Sequence, residues 1–388
     1  MKILKDNPKL KNIFFAGFLL SLHFALTAYI NSSFLSIFLK EKNVGLLYTL
    51  GYIVSIFTLL IIPKILRRVG SYKFLLWLVG LNAISLLSLS LSKSIWLIIP
   101  IFVFYLTLNT LIVFSLDELL QIFSKNSGVG KIRGLYITII SSAWIIAQSV
   151  SGIILNNFSF SALYFISFMI MAILLIFSFF FLKNLSDPVY DRVSVLKSLK
   201  TFFRNKNLSR SYKINFLLQF FYAFMVIYTP IYLNAHLGFT WGEIGVIFAI
   251  MLTPFIILPF PLGKYSDKIG ERKMLMFGFI LASLATFSLF FIKQHEIWVW
   301  ALLLFITRIG ASTIEIMSDV YFFKHITPEN DEFIGIYRNT APVAYILAPL
   351  VAFLIFTFTP SFNFIYIILG AIMLFGIYLS STIKKSDT

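Results

Sequence analysis

A chain of 388 residues that is 59% hydrophobic and 12% charged, with a mean hydropathy of +0.91, has more apolar surface than a water-soluble fold can bury. Its net charge of +16 is dispersed between apolar runs rather than gathered in a patch or tail, which argues against a nucleic-acid partner. With no Cys, and with His23, His236, His295 and His325 too scattered for a zinc motif, neither a disulfide nor a metal centre nor a cofactor is expected.

No phosphate loop, serine-nucleophile elbow or HExxH helix occurs, so an enzyme is not expected. The apolar runs are continuous and about 20 residues long, the length of a membrane-spanning helix, and do not alternate as barrel strands do. The first run is too long for the core of a signal peptide and is expected to remain as a span.

In chain order the windows predict twelve spans. They cover 12–39, 44–63, 73–91, 95–124, 132–155 and 160–182, then 211–235, 243–262, 274–292, 297–323, 334–358 and 361–382. This divides the chain into an N-terminal six-helix bundle (1–183), a polar linker (184–210) and a C-terminal six-helix bundle (211–388). The fold class expected is an all-α polytopic membrane protein of two pseudo-symmetric six-helix bundles. Of the 32 Lys and Arg, only Lys40, Lys42, Lys93 and Lys293 fall on the side opposite the N-terminus, and Arg308 lies within a span. The positive-inside rule then places both termini in the cytoplasm, in a plasma (inner) membrane. In the linker, Asp187-Pro188 ends the sixth helix, and SVLKSLKTFFRNKN alternates Lys with Leu and Phe. That stretch is either an amphipathic helix on the inner leaflet or a solvated basic linker. Trp96, Trp241, Trp298 and Trp300 are expected as anchors at the membrane interfaces.

Two pairs of stretches indicate duplication. PKILRRVGSYK (Pro63–Lys73) matches GKYSDKIGERK (Gly263–Lys273) in Gly70 and Gly270, Lys73 and Lys273, and Lys64 and Lys264. Downstream, GLYITIISSAWIIAQSVSG from Gly134 matches GIYRNTAPVAYILAPLVAF from Gly335.

Twelve spans in two halves around a basic linker resemble the major facilitator superfamily. The second-half loop resembles that family's signature Gly-x-x-x-Asp-x-x-Gly-x-Arg-Lys at Gly263, Asp267, Gly270, Arg272 and Lys273. The first-half copy departs from it, with Pro63 for the first Gly and Arg67 for the Asp. The resemblance implies that this loop latches the halves at the cytoplasmic side. On physical grounds Gly270 permits a turn at positive φ, and Asp267 can accept from N–H groups at a helix start. The fifth-helix motif of proton-coupled drug antiporters, Gly-Pro-x-x-Gly-Gly, is degraded in Ala147–Gly152 and in Ala348–Phe353, although small residues persist in both and Pro349 stands in the second.

Arg308 is the most informative residue. It lies roughly 17 Å into the tenth span at 1.5 Å per residue. An Arg at that depth must face a cavity or a partner. Ser312, Glu315 and Asp319 continue its stripe. Either Arg308 holds a polar or anionic substrate group while Glu315 carries a proton, or they form an ion pair within the bundle. Asp319 is expected to pair with Arg272 or Lys273. Asp117 and Glu118 close the fourth span and are expected to meet Arg67, Arg68, Arg133 or Arg338 in a gate. Further polar stripes are His23, Thr27 and Asn31 on the first span; Tyr105 and Asn109 on the fourth; Ser141, Trp144 and Gln148 on the fifth; and Asn215, Gln219 and Tyr222 on the seventh. The resemblance implies that spans one, four, seven and ten surround a substrate path.

The expected function is secondary active transport of a small organic molecule by a monomer, coupled to H⁺, with export favoured. Uptake of an anionic metabolite, which Arg308 suits, and a non-transporting receptor or scaffold are the alternatives.

Overall fold

A computed structural model describes residues 8–124, 129–183, 195–259, 261–262, 269–326 and 332–383. Gly263 and Asp267 lie outside the described residues. Among those described, eleven helices are long and apolar enough to cross a membrane, and a shorter apolar stretch, Trp241–Ile257, stands in the eighth place. The fold is that of an all-helical membrane protein of twelve spans.

Residue proximity divides the chain into two compact units. Unit 1 is Met1–Lys40 with Leu47–Asp191, and unit 2 is Glu41–Leu46 with Arg192–Thr388. Up to the end of unit 1 the helices are α1 (Pro8–Ala28), α2 (Asn31–Ser36), α3 (Glu41–Val69), α4 (Ser71–Leu91), α5 (Ile95–Ser124), α6 (Val129–Asn157) and α7 (Phe160–Phe181). Unit 2 continues with α8 (Val195–Arg204), α9 (Lys206–Ile231), a π-helical turn (Tyr232–His236), α10 (Trp241–Leu252), α11 (Pro254–Ile257) and α12 (Glu271–Phe291). It ends with α13 (Ile297–Lys324), α14 (Glu332–Arg338), α15 (Thr340–Phe358) and α16 (Phe364–Ser381).

The internal packing repeats. In unit 1, α1 packs on α5, α6 and α7, and α4 packs on α5 and α7. In unit 2 the corresponding α9 packs on α13, α15 and α16, and α12 packs on α13 and α16. The loop twins agree as well: Gly70 and Gly270 precede α4 and α12 at φ 82° and 81°. That conformation is open only to glycine at small cost.

Local chemistry sets the helix ends. Asn205 starts α9 five residues before the expected window, its side chain accepting from the N–H groups of Asn207 and Leu208 at 3.0 and 3.3 Å. Thr240 and Glu243 form a reciprocal capping box at the start of α10. Pro254 begins α11 and interrupts the eighth span, because its ring cannot supply an N–H to the preceding turn. Trp96 and Trp298 are exposed, as interface anchors should be, but Trp300 is fully buried. Two positions beyond Trp298, it lies across the helix from it, its ring among Tyr232 and Tyr366 and its indole N–H donating to the Gln294 carbonyl.

A close backbone approach places α13. A Cβ added at Gly310 would meet the Gly278 carbonyl oxygen at 2.6 Å and the Ala282 nitrogen at 2.7 Å. Backbone cannot yield as a side chain can, so this is a contact made by small residues. Gly310→Ala is expected to cost about 1–3 kcal/mol and lower the Tm in detergent. Gly335→Ala, where nothing lies within 4 Å, should leave the Tm unchanged or raise it.

Candidate functional site

In unit 2 the site is built on α9 and α13. Arg308 on α13 is 1% exposed, with its guanidinium 5.2 Å from the Phe221 ring centre and 5.4 Å from that of Tyr222. The ring faces carry negative potential, which offsets part of the cost of taking the cation out of water. Tyr222 also donates its hydroxyl to Glu315 Oε2 at 2.8 Å. Arg308 and Glu315 are two turns apart, about 10 Å along the axis, so Tyr222 spans the gap between cation and carboxylate. The Phe255 ring of α11 lies 6.2 Å from that of Tyr222. Gln219 lies one turn before Tyr222 and is half-buried, while Ser312, between Arg308 and Glu315, is buried. A cation, a phenol and a carboxylate thus meet in one place, with aromatic faces beside them and the Gln219 amide one turn away on α9.

A second group lies further along α13. Asp319 accepts from the Tyr337 hydroxyl at 2.9 Å and from Arg338 at 3.2 Å. The expected partners Arg272 and Lys273 are not the ones it meets, because α14 brings Tyr337 and Arg338 to it from the other side. Arg272 and Lys273 stand in the first turn of α12, half-buried and exposed. In that same turn Glu271, fully buried, holds Lys324 at the end of α13. Sequence reasoning missed this pair, although Glu271 lies inside the loop signature and only a cation nearby could justify burying it.

The polar stripes of unit 1 are drawn into hydrogen bonds between its helices. The His23 ring approaches the Leu20 carbonyl (2.6 Å) and Asn109 Oδ1 (3.1 Å), and Asn109 donates to the Tyr105 carbonyl at 3.1 Å. Thr27 meets the Tyr105 hydroxyl at 2.7 Å, Asn31 accepts from Tyr164 at 2.7 Å, and Gln148 donates to the Ala25 carbonyl at 2.8 Å. His23, Asn31, Asn109 and Gln148 are all buried, so α1 is tied to α5 and α6, and α2 to α7. In unit 2, Asn215 is similarly engaged, donating to Thr340 of α15 at 2.8 Å. Asp117 is half-buried on α5, and the side chains of Glu118 and Arg133 lie outside the described residues.

These features define a polytopic helical membrane protein: among the described residues, eleven helices long enough to span and a shorter twelfth, a packing scheme repeated in the two units, and a buried charge on the tenth span. A family model described as the Major Facilitator Superfamily matches residues 12–251 and 214–386, and the chain belongs to that superfamily. No curated protein matches the sequence significantly. A crystal structure of a mutant of the nucleoside transporter NupG is similar, with a TM-score of 0.76 over 96% of this chain and 98% of that one, at 15% identity. At that identity the likeness concerns the fold.

The Glu271–Lys324 pair can be tested by a double-mutant cycle. Lys324→Met leaves a buried carboxylate without its cation and should cost about 1–3 kcal/mol in thermal unfolding. Adding Glu271→Gln should recover most of that loss; simple additivity would mean that the two do not interact.

Proposed function

We propose that the protein is a secondary active transporter of a small polar, ring-bearing organic molecule, working by alternating access with H⁺ as the coupling ion. The observation that carries this reading is Tyr222 standing between the Arg308 guanidinium and the Glu315 carboxylate. A ring-bearing solute can stack on Phe221 or Tyr222, while Arg308, Gln219 and Glu315 supply donors and acceptors. Nucleosides are the first class to test, since they join an aromatic base to a polar sugar and a transporter of that class shares the fold. The buried polar contacts of His23, Asn31, Asn109 and Gln148 hold the helices of unit 1 together. The termini face the cytoplasm of the plasma membrane, the positive side by loop charge, and the protein acts as a monomer. Export is the proposed direction, on the aromatic and amide character of the lining.

Proton coupling follows from charge balance. Charged groups within electrostatic reach of Glu315 are Asp319, Arg338 and Arg308. Ionised Glu315 offsets Arg308 through the intervening phenol. Once protonated, it no longer offsets the guanidinium charge, which then attracts an electron-rich group of the solute more strongly. Acidification through the titration of Glu315 should therefore strengthen binding. Arg308 also favours a second reading, uptake of an anionic metabolite.

Flux of radiolabelled nucleosides and of small carboxylates into proteoliposomes, with and without an imposed pH gradient, tests both readings. Arg308→Ala should reduce flux by at least 100-fold, about 2.7 kcal/mol, while the protein remains monodisperse. Glu315→Gln should retain binding and lose its pH dependence, and Tyr222→Phe should weaken binding about tenfold, as for one charge-assisted hydrogen bond. Absence of gradient-responsive flux for every solute in the panel would leave a receptor or scaffold on this fold.

A further inference from the structure

The basic stretch before α9 forms a surface of its own. No Asp or Glu occurs between Asp191 and Glu243, while Arg192, Lys197, Lys200, Arg204, Lys206, Arg210 and Lys213 lie there. Only Asn205 separates α8 from α9. Phe202 of α8 is fully buried with Leu208, Phe322, Phe333 and Tyr337, its ring 5.5 Å from Phe333 and 6.4 Å from Phe322. Arg210, just beyond, donates to Tyr321 and to Thr382 at 3.0 and 2.8 Å. Phe322 belongs to the last turn of α13, and Phe333 opens the eleventh span. The helix is therefore held at the depth where the spans leave the apolar layer.

Helical periodicity gives α8 two faces. Ser198 and Phe202, one turn apart, are buried against unit 2. Lys197, Lys200 and Arg204 share the opposite stripe, and all three are exposed. Phe203 lies on the flank between them, against Tyr212 at 5.1 Å, yet 44% exposed. A line of cations beside a half-exposed phenyl ring, at the height of the headgroups, matches the boundary between lipid phosphates and acyl chains.

We propose that α8 is a binding site for anionic phospholipid. Lys197, Lys200 and Arg204 donate to phosphate oxygens, and Phe203 enters the acyl boundary. The cluster behind α8 contains Tyr337, whose hydroxyl holds Asp319, so a lipid bound here loads the helix packing around Asp319. Lipid is preferred to a soluble polyanion because of Phe203, which a soluble partner would leave in water.

Full-length protein in nanodiscs of phosphatidylcholine, with or without phosphatidylglycerol, provides the test, with retention of phosphatidylglycerol read by native mass spectrometry. Each cation contributes about fivefold in affinity, so K197Q/K200Q/R204Q should lose about a hundredfold. K197R/K200R, which keeps both charges, should bind as the wild type and shows that replacing these side chains does not unfold the site. Added salt should weaken wild-type binding, and F203S should weaken it with an unchanged salt dependence. The proposal fails if the triple variant retains phosphatidylglycerol as the wild type does. It also fails if inorganic phosphate or heparin displaces the lipid at equal charge, since the site would then recognise a soluble anion.

Discussion

A guanidinium in the apolar layer of a membrane needs compensation, and the placing of Arg308 constrains most of unit 2. Left facing lipid, it would cost at least a few kcal/mol. Two ring faces, each contributing about 0.5–2 kcal/mol, offset much of that. Consecutive residues on α9 supply both rings, so α9 and α13 must hold one rotational setting for Phe221 and Tyr222 to flank the cation. The opposite side of α13 is fixed by different means. Gly310, two residues beyond Arg308 and across the helix from it, lets the α12 backbone approach closely. Small residues thus seat α13 on one face, while charge and aromatic rings orient it on the other.

The two units answer the same packing problem with different chemistry. Both keep a glycine at positive φ before their third span, and both pack that span on the fourth and sixth of their set. In unit 1 the polar groups of the spans are neutral at this depth and bind one another, or backbone carbonyls, as with Gln148 and Ala25. Those bonds hold helices together at little electrostatic risk. In unit 2 the mid-span layer carries a cation, Arg308, and a carboxylate, Glu315, with the Tyr222 hydroxyl interposed. The two units share a packing scheme, and unit 2 concentrates charge at mid-span.

The spans were legible because lipid imposes length and hydropathy on any helix that crosses it. Breaks within spans were less so. Pro254 announces its own, but the interruption at Tyr29 and Ile30 has neither Gly nor Pro. There the Ile30 N–H turns back to the Thr27 carbonyl at 3.0 Å, and the Thr27 hydroxyl bonds to Phe24 and Tyr105. Arg308 and Glu315 stood out because charge inside a span is costly. Phe221 did not, since 45 Phe look alike without a view of what lies over each ring. The amphipathic pattern of 195–204 was readable, but its docking surface was not. Phe322, Phe333 and Tyr337 are more than a hundred residues downstream, and nothing in the local pattern points to them.

Read from mid-span to its end, α13 carries Arg308, Glu315, Asp319 and Lys324, and each has a partner on another helix. Arg308 and Glu315 look to α9, Asp319 to α14, and Lys324 to α12. One rigid element therefore shares its charges among three neighbours. A proton gained at Glu315 weakens the case for holding α9 in register without touching the pair at Lys324. Loss of the Asp319 contact frees α14 while the mid-span site persists. Such a division lets a change at mid-span and a change at the basic end be separate events on one helix, linked through its rigidity. Contacts that release separately give an ordered sequence of states, which the alternating access proposed for this chain would use.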